Sequence, residues 1–225
     1  MSELLIKLWQ NGILQLGIWE TVYMTLISTF FAYLIGLPVG LILRMTDRDG
    51  IHPIGWLNRT LGIIVNALRS IPFIILMVAM LPVAKAIVGT SLGNRAVIVT
   101  LVIAAAPYVA RMVESAAKEV NAGVIEAAQS MGASTLRIIC NVIIPEAKPA
   151  LITGGVISTV TILGYSAMAG TIGGGGLGQI AITYGYQKYD DQIVWLCVAL
   201  TIIIVQILQE FGMYIARRTD RRAHS

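Results

Sequence analysis

The chain has 225 residues, of which 56% are hydrophobic and only 12% charged, with a formal net charge of +4 and a mean hydropathy of +0.79. Soluble domains carry about twice that charged fraction, so an ordinary soluble fold is excluded and a single polytopic α-helical membrane domain is indicated. The basic residues are not gathered on one soluble face. This argues against a nucleic-acid partner and for charges that set membrane orientation.

Residues 1–16 place Leu4, Leu5 and Leu8 at helical spacing beside Trp9. The pattern suits a helix lying in the membrane interface, or a frayed arm. The segment lacks a basic leader and a small-residue cleavage site, so it does not read as a removable signal peptide. Five apolar segments then follow in one transmembrane region, residues 17–216, at about 17–43, 61–84, 96–110, 149–172 and 192–212. A bilayer core needs roughly 20 apolar helical residues, so all five are candidate spans, the third a short one. None alternates as barrel strands do.

Orientation follows from Lys and Arg in the connections. Eleven bases lie after span one (Arg44, Arg48, Arg59), between spans three and four (Arg111, Lys118, Arg137, Lys148) and in the tail 217–225 (Arg217, Arg218, Arg221, Arg222), against four in the connections of the opposite side: Lys7, Lys85, Arg95 and Lys188. The C-terminus and the 111–148 connection are therefore expected in the cytoplasm, and the N-terminus outside.

Residues 111–148 form a long connection, locally neutral, with Glu114, Glu119, Glu126 and Glu146 offsetting the four bases. It reads as two short helices. One runs through "GVIEAAQSM" to a break at Gly132; the second runs from an N-cap at Ser134 to Ile144 and is ended by Pro145. Ala127 and Ala128 present almost no side chain, so a partner surface can approach the backbone. Glu126 offers one directional charge for a partner's Arg or Lys. Leu136, Ile139, Val142 and Ile143 repeat at helical spacing and would hold the piece against the bundle.

Glu126-Ala127-Ala128, Gly132, Val142, Ile144 and Pro145 together resemble the EAA loop of the permeases of ATP-binding-cassette importers. Val142 and Ile144 stand where that family favours Ile and Leu, which are volume-tolerant exchanges. "RSIPFIIL" at 69–76, "APYVARMVE" at 106–114 and "GYSAMAGTIGGGGLGQIAITYGYQ" at 164–187 are similar to the methionine branch of those permeases. The resemblance implies the membrane subunit of a type I importer present as two copies. Two partner ATPases would receive the EAA loops, and an extracytoplasmic methionine-binding protein would deliver substrate. The cargo the resemblance implies is methionine, with its D-isomer or derivatives, and another small solute of the same importer class is the alternative.

The residues themselves also call for partners. No G-x-x-x-x-G-K-[ST] occurs, so ATP and Mg would be bound by the partner ATPase and no cofactor by this chain. Nothing pairs a nucleophile with a base, so no catalytic residue is assigned. Five spans are few to enclose a pathway, whereas a two-fold pair would line one. Span four is rich in Gly, Ser and Ala, which permits close packing, and is placed near that axis. There Met168 is either a flexible plug in the pathway or a gap-filling core residue, with Tyr165 and Ser166 as weaker lining candidates.

Arg69 is a base within span two; it either biases a pathway, bonds backbone freed around Pro72 or snorkels, the structural role being preferred. "GTIGGGGLGQ" follows no strand, so it reads as a tight turn back toward the membrane rather than a dinucleotide loop. Tyr184, Tyr186 and Tyr189 are then expected near the outer interface. Isolated His52 and His224 make no metal site, and Cys140 and Cys197 read as free thiols. Glu20 and Glu210 are taken as solvated acids at span ends. An ion-coupled carrier would need acids inside its spans, and an intramembrane enzyme a catalytic constellation; neither pattern is present.

Overall fold

The computed structural model of the protein describes residues 3–219. Among the described residues the regular elements are all helical. Arg221, Arg222 and His224 lie outside the described residues, as does the side chain of Leu5.

A short helix α1 (Glu3–Gln10) is separated by left-handed Gly12 from a 34-residue helix α2 (Ile13–Thr46). Leu8 of α1 is buried with Leu14, Leu177, Ile180 and Ile193, whereas Trp9 is exposed. The central scaffold is α2 against α6 (Asn94–Lys118). The two run parallel, because Glu20 meets Asn94 at one end and Asp47 meets Lys118 at the other. Between those ends, Gly36 and Gly40 let α6 lie directly on α2. A methyl at Gly36 would sit 2.6 Å from Val109 Cγ1, and one at Gly40 would strike the carbonyl of Ala110. Lipid surrounds such helices with material as apolar as their own side chains, so close packing through a small-xxx-small pair is what joins them.

The third predicted span, 96–110, is longer than its apolar run suggests. The helix continues through Arg111, Glu114 and Lys118, beyond the expected end of the span. Those charges remain helical because they pair with one another along one face, Glu114 with Arg111 at 2.6 Å and with Lys118 at 2.8 Å.

Span two is not a straight helix over 61–84. α3 (Gly55–Ser70) stops before Pro72, and α4 (Phe73–Ala79) leaves at 105° to it. The proline accounts for the break: it drives the preceding residue out of the helical region, and Ile71 has φ −81° and ψ 127°. α5 (Leu81–Val88) follows with Pro82 in its first turn. Among the described residues four helices are long and apolar enough to cross a membrane, or five if α3 and α4 are one broken span.

After α7 (Ala122–Ser130) the chain enters α8 (Thr135–Ile138), a π-turn (Ile139–Ile143) and α9 (Ile144–Ala169). Pro145 therefore does not end the second short helix. The wider π-turn, where Ile144 N–H donates to Ile139 O, opens the preceding turn and makes room for the ring of Pro145, which has no N–H of its own to donate. The surface helix and span four are one body, continuous from Thr135 to Ile172. α9 runs back along α6, with Gly154 against Met112. A 3₁₀ turn (Gly170–Ile172), a glycine run, α10 (Gly176–Ile180) and a π-turn (Ala181–Gly185) lead to α11 (Asp191–Thr219). Helix α11 packs on α9 through Gly212 against Val156 and turns Trp195, Ile203, Ile207 and Phe211 outward. Glu210 is on an exposed face of α11, nine residues before the helix ends.

Candidate functional site

The segment 121–147 is a defined knob at the end of the bundle formed by Asp47 and Lys118. Helix α7 starts because Asn121 Oδ1 accepts the Gly123 amide at 2.8 Å, a side-chain N-cap visible as Asn before the helical run. It stops at Gly132, φ +74°, where Gly132 N–H donates to Gln129 O and Ala133 N–H to Ala128 O. Those two bonds are a Schellman closure, which requires a residue tolerant of left-handed backbone. Ser134 occupies the next N-cap position without a side-chain bond; its carbonyl accepts from Ile138.

One face of this knob is inward. Ile125 and Ala128 are buried at 7% and 5% exposure, and Ile138, Ile143 and Ala147 join them. Full burial of a side chain such as Ile125 contributes about 2 kcal/mol. The other face exposes Ala127, Val124, Met131 and Leu136. Two expectations are corrected here. Ala128 does not offer its face to a partner; it is the small residue that lets α7 sit on its own bundle. Leu136 does not hold the knob down, because it is 74% exposed while Ile138 takes that role. The helical phase set by Ser134 points 138 and 143 inward, and the π-turn shifts the phase after 138, which spacing alone did not reveal. Val142 and Ile139 are half-buried against the core. An exposed apolar patch rimmed by polar residues is the mark of an interaction surface. Glu126, exposed, borders a cleft of ≈ 340 Å³ whose other wall holds Arg44, Asp49 and Gly50.

The knob is braced by the α2–α3 turn. Arg44 Nη1 donates to Asp49 O at 2.9 Å, His52 Nε2 lies 2.6 Å from Thr135 Oγ1, and Asn58 donates to Leu43 O at 2.7 Å. Lys118 bridges Asp47 at 2.9 Å and Glu114 at 2.8 Å. The Lys118 ammonium and the Arg48 amide hold the Asp47 carboxyl below the usual carboxylate range. Glu114, expected in a loop, is buried on α6 and neutralised by two bases.

Between α3, α6 and α9 runs an open groove of ≈ 510 Å³, lined among others by Arg69, Tyr108, Met112, Thr153 and Ile157. Arg69 is exposed at the last turn of α3 and borders this groove; among the described residues it donates nothing to the backbone around Pro72. Arg111 instead bonds Asn66 Oδ1 at 3.0 Å and Gly62 O at 3.2 Å, tying α3 to α6. Further along α9, Met168 is 49% exposed. Tyr165 stacks flat on Phe73 with ring centroids 4.4 Å apart, joining α9 to the broken span. Ser166 is corrected as a lining residue: it is buried and bonds Leu163 O at 2.7 Å within its own helix.

At the end opposite the knob, Glu20 is not simply solvated. Its carboxylate accepts from Asn94 Nδ2 at 2.7 Å and from the Gly176 amide at 2.8 Å. The glycine run thus turns back, as expected, but around a charged partner that spacing did not disclose. Tyr186 and Tyr189 are exposed there, while Tyr184 packs on the Leu8–Leu14 cluster. Cys140 is exposed and Cys197 buried, both free.

Residues 36–223 match the family of binding-protein-dependent transport system inner membrane components. The chain belongs to that family. It is a multi-pass permease component of an inner-membrane transport system. It is 49% identical over 212 residues to the probable D-methionine transport system permease of Vibrio cholerae, covering 94% of each chain. It is 50% identical over 154 residues to the D-methionine permease of Escherichia coli K12, covering 68% of this chain and 71% of that one. Among solved structures, an inward-facing form of the MetNI methionine ABC transporter superposes with a TM-score of 0.93 at 46% identity, over 98% of this chain and 100% of that one. An amino acid ABC transporter solved with histidines superposes with a TM-score of 0.78 at 19% identity, a likeness of fold.

Proposed function

We propose that this permease forms, as a pair of identical copies, the membrane pathway of an ATP-driven methionine importer. The likeness that carries the reading is to the methionine permeases, nearly half identical along almost the whole chain. Two ATPases, which would hold ATP and Mg, dock on the exposed face of the knob, and an extracytoplasmic methionine-binding protein delivers cargo at the Glu20 end. The chain itself performs no catalysis. The knob lies in the cytoplasm with the C-terminus, and α1 lies outside. Labelling of the exposed Cys140 tests that orientation: an impermeant maleimide should reach it only in inverted vesicles, and labelling solely from the exterior would overturn the assignment.

The geometry supports a mechanical route. From Thr135 onward the knob is continuous with α9, so movement of α7, passed across the short Gly132 turn to α8, is delivered to the helix that carries Met168 without a further break. ATP-driven closure of the ATPases brings the two knobs together and turns the α9 pair, opening the pathway away from the cytoplasm; hydrolysis resets it. The groove beside Arg69, Tyr108 and Met112 is this chain's share of the pathway, and Met168, near Tyr165, serves as the gate. Vesicles holding the permease, its ATPase and ATP should accumulate radiolabelled methionine in the presence of the binding protein. Uptake that persists without ATP and collapses with an uncoupler would instead assign an ion-coupled carrier.

A further inference from the structure

We infer that Glu20 and Asn94 are positioning residues for the gate: together they clasp the glycine strap, residues 173–178, around the end of α9 that carries Met168. The inference rests on the transport reading above for the word gate, and on geometry for the clasp. Glu20 uses one carboxylate oxygen for Asn94 Nδ2 (2.7 Å) and the other for the Gly176 amide (2.8 Å). Asn94 turns its own oxygen to the Gly175 amide at 2.8 Å. Thr21 Oγ1 accepts the next amide, Leu177, at 2.9 Å. Three consecutive backbone donors of the strap are therefore received by side chains of α2 and α6. A charged acceptor in low-dielectric surroundings makes such bonds stronger than neutral ones.

The strap reaches this position only because it lacks side chains. A methyl at Gly175 would collide with the Glu20 carboxylate and lie 2.6 Å from Asn94 Oδ1; one at Gly178 would strike the Ala167 carbonyl. Gly174 N–H donates to Ala169 O, and Gly93 N–H to Gly173 O, each at 3.1 Å. The strap thus binds the residues on either side of Met168 to the rigid α2–α6 pair. A helix end held from both flanks has a defined resting place, which a gate needs if a turn of α9 is to open and close it rather than leave it fluctuating.

The pattern of donors and acceptors supplies a discriminating experiment. Glu20→Gln places an amide donor against an N–H donor, and Asn94→Asp sets two carboxylates face to face. The combined change Glu20→Gln with Asn94→Asp restores every bond. The amide now at position 20 donates to the carboxylate now at position 94 and accepts from the Gly176 N–H. That carboxylate also accepts from the Gly175 N–H, and one negative charge remains in the clasp. In vesicles containing permease, ATPase and binding protein, each single variant is expected to lower methionine moved per ATP hydrolysed about tenfold, and the swap to return it to within about twofold. Hydrogen exchange across 173–180 should speed up in both single variants and recover in the swap. A swap as uncoupled as the single variants, or single variants coupled like the parent, would overturn the proposal. Absence of methionine uptake by the parent transporter would count against the functional reading instead. The clasp is then judged on ATP turnover, raised in the single variants and normal in the swap; turnover unchanged in all three would overturn it.

Discussion

At one end of α2, Asp47 meets Lys118 where both side chains stay in contact with solvent, and beyond them the knob turns Ala127, Met131 and Leu136 outward. At the other end Glu20 meets Asn94, and together with Thr21 they receive three strap amides. Both ends join α2 to α6 through an acid, yet one leaves surface free for a partner and the other consumes its polar groups internally. The first arrangement suits an element that must be gripped from outside, the second one that must hold still. Ala127 and Ala128, adjacent in the chain, repeat the contrast on a smaller scale: one belongs to the gripped face and one to the held face.

That pair gives the largest expected effect. Ala128→Asp buries an unpaired carboxylate under α7 and should cost about 3–5 kcal/mol; the permease should then fail to accumulate as intact protein. Ala127→Asp leaves its charge in water, so the thermal midpoint of the purified permease should stay within about 3 °C of the parent. ATP-driven uptake should fall at least about tenfold, because the charge enters a docking face. If both variants fold and transport alike, the division of α7 into two faces is wrong.

Two glycines with positive φ sharpen the same comparison at intermediate size. Gly132 closes α7 at φ +74° with open space around it, so Gly132→Ala carries only the backbone cost of a left-handed Ala, about 1 kcal/mol. Gly176 sits in the strap at φ +89°, and a methyl there would lie 2.7 Å from Thr21 Oγ1 and 3.3 Å from Met24 Cε. Gly176→Ala must displace Thr21 and should cost about 2–4 kcal/mol, the conformational term plus a lost buried hydrogen bond. Melting midpoints of the two variants should separate in that order; equal shifts would mean that the strap is not tightly held.

What was legible in the sequence follows the same division. The knob was readable because its information is local: Glu126-Ala127-Ala128, the turn at Gly132 and Pro145 lie within about twenty residues, and the break at Gly132 follows from helix-capping rules. Which alanine faced inward was not readable, because that depends on where α7 lands on the bundle. Pro145 misled for a physical reason: a proline ends a helix only if nothing widens the preceding turn, and the π-turn at Ile139–Ile143 does so. Pro72, with no such relief, broke its span at 105°. The clasp was invisible because Glu20 is separated from Asn94 by 74 positions and from Gly176 by 156. An acid one turn into an apolar span, an Asn heading another and a glycine run are each bland alone. Only folding sets them together.

The smallest expected effect tests the open end. Lys118, hydrogen-bonded to Asp47, keeps that carboxylate ionised to lower pH than an unstructured Asp. With its folded pKa depressed, the stabilisation it provides is present above the unfolded value, about 4, and is lost as pH falls through the folded value. Asp47→Asn should therefore lower the melting midpoint slightly at pH 7, and parent and variant should begin to converge below about pH 4 and meet only below the depressed folded value. The effect should also shrink with salt, since the pair is solvent-exposed and screened. A difference that persists unchanged in acid and in high salt would mean that Asp47 acts through the shape of the α2–α3 turn, where its carbonyl receives the Gly50 amide, rather than through its charge.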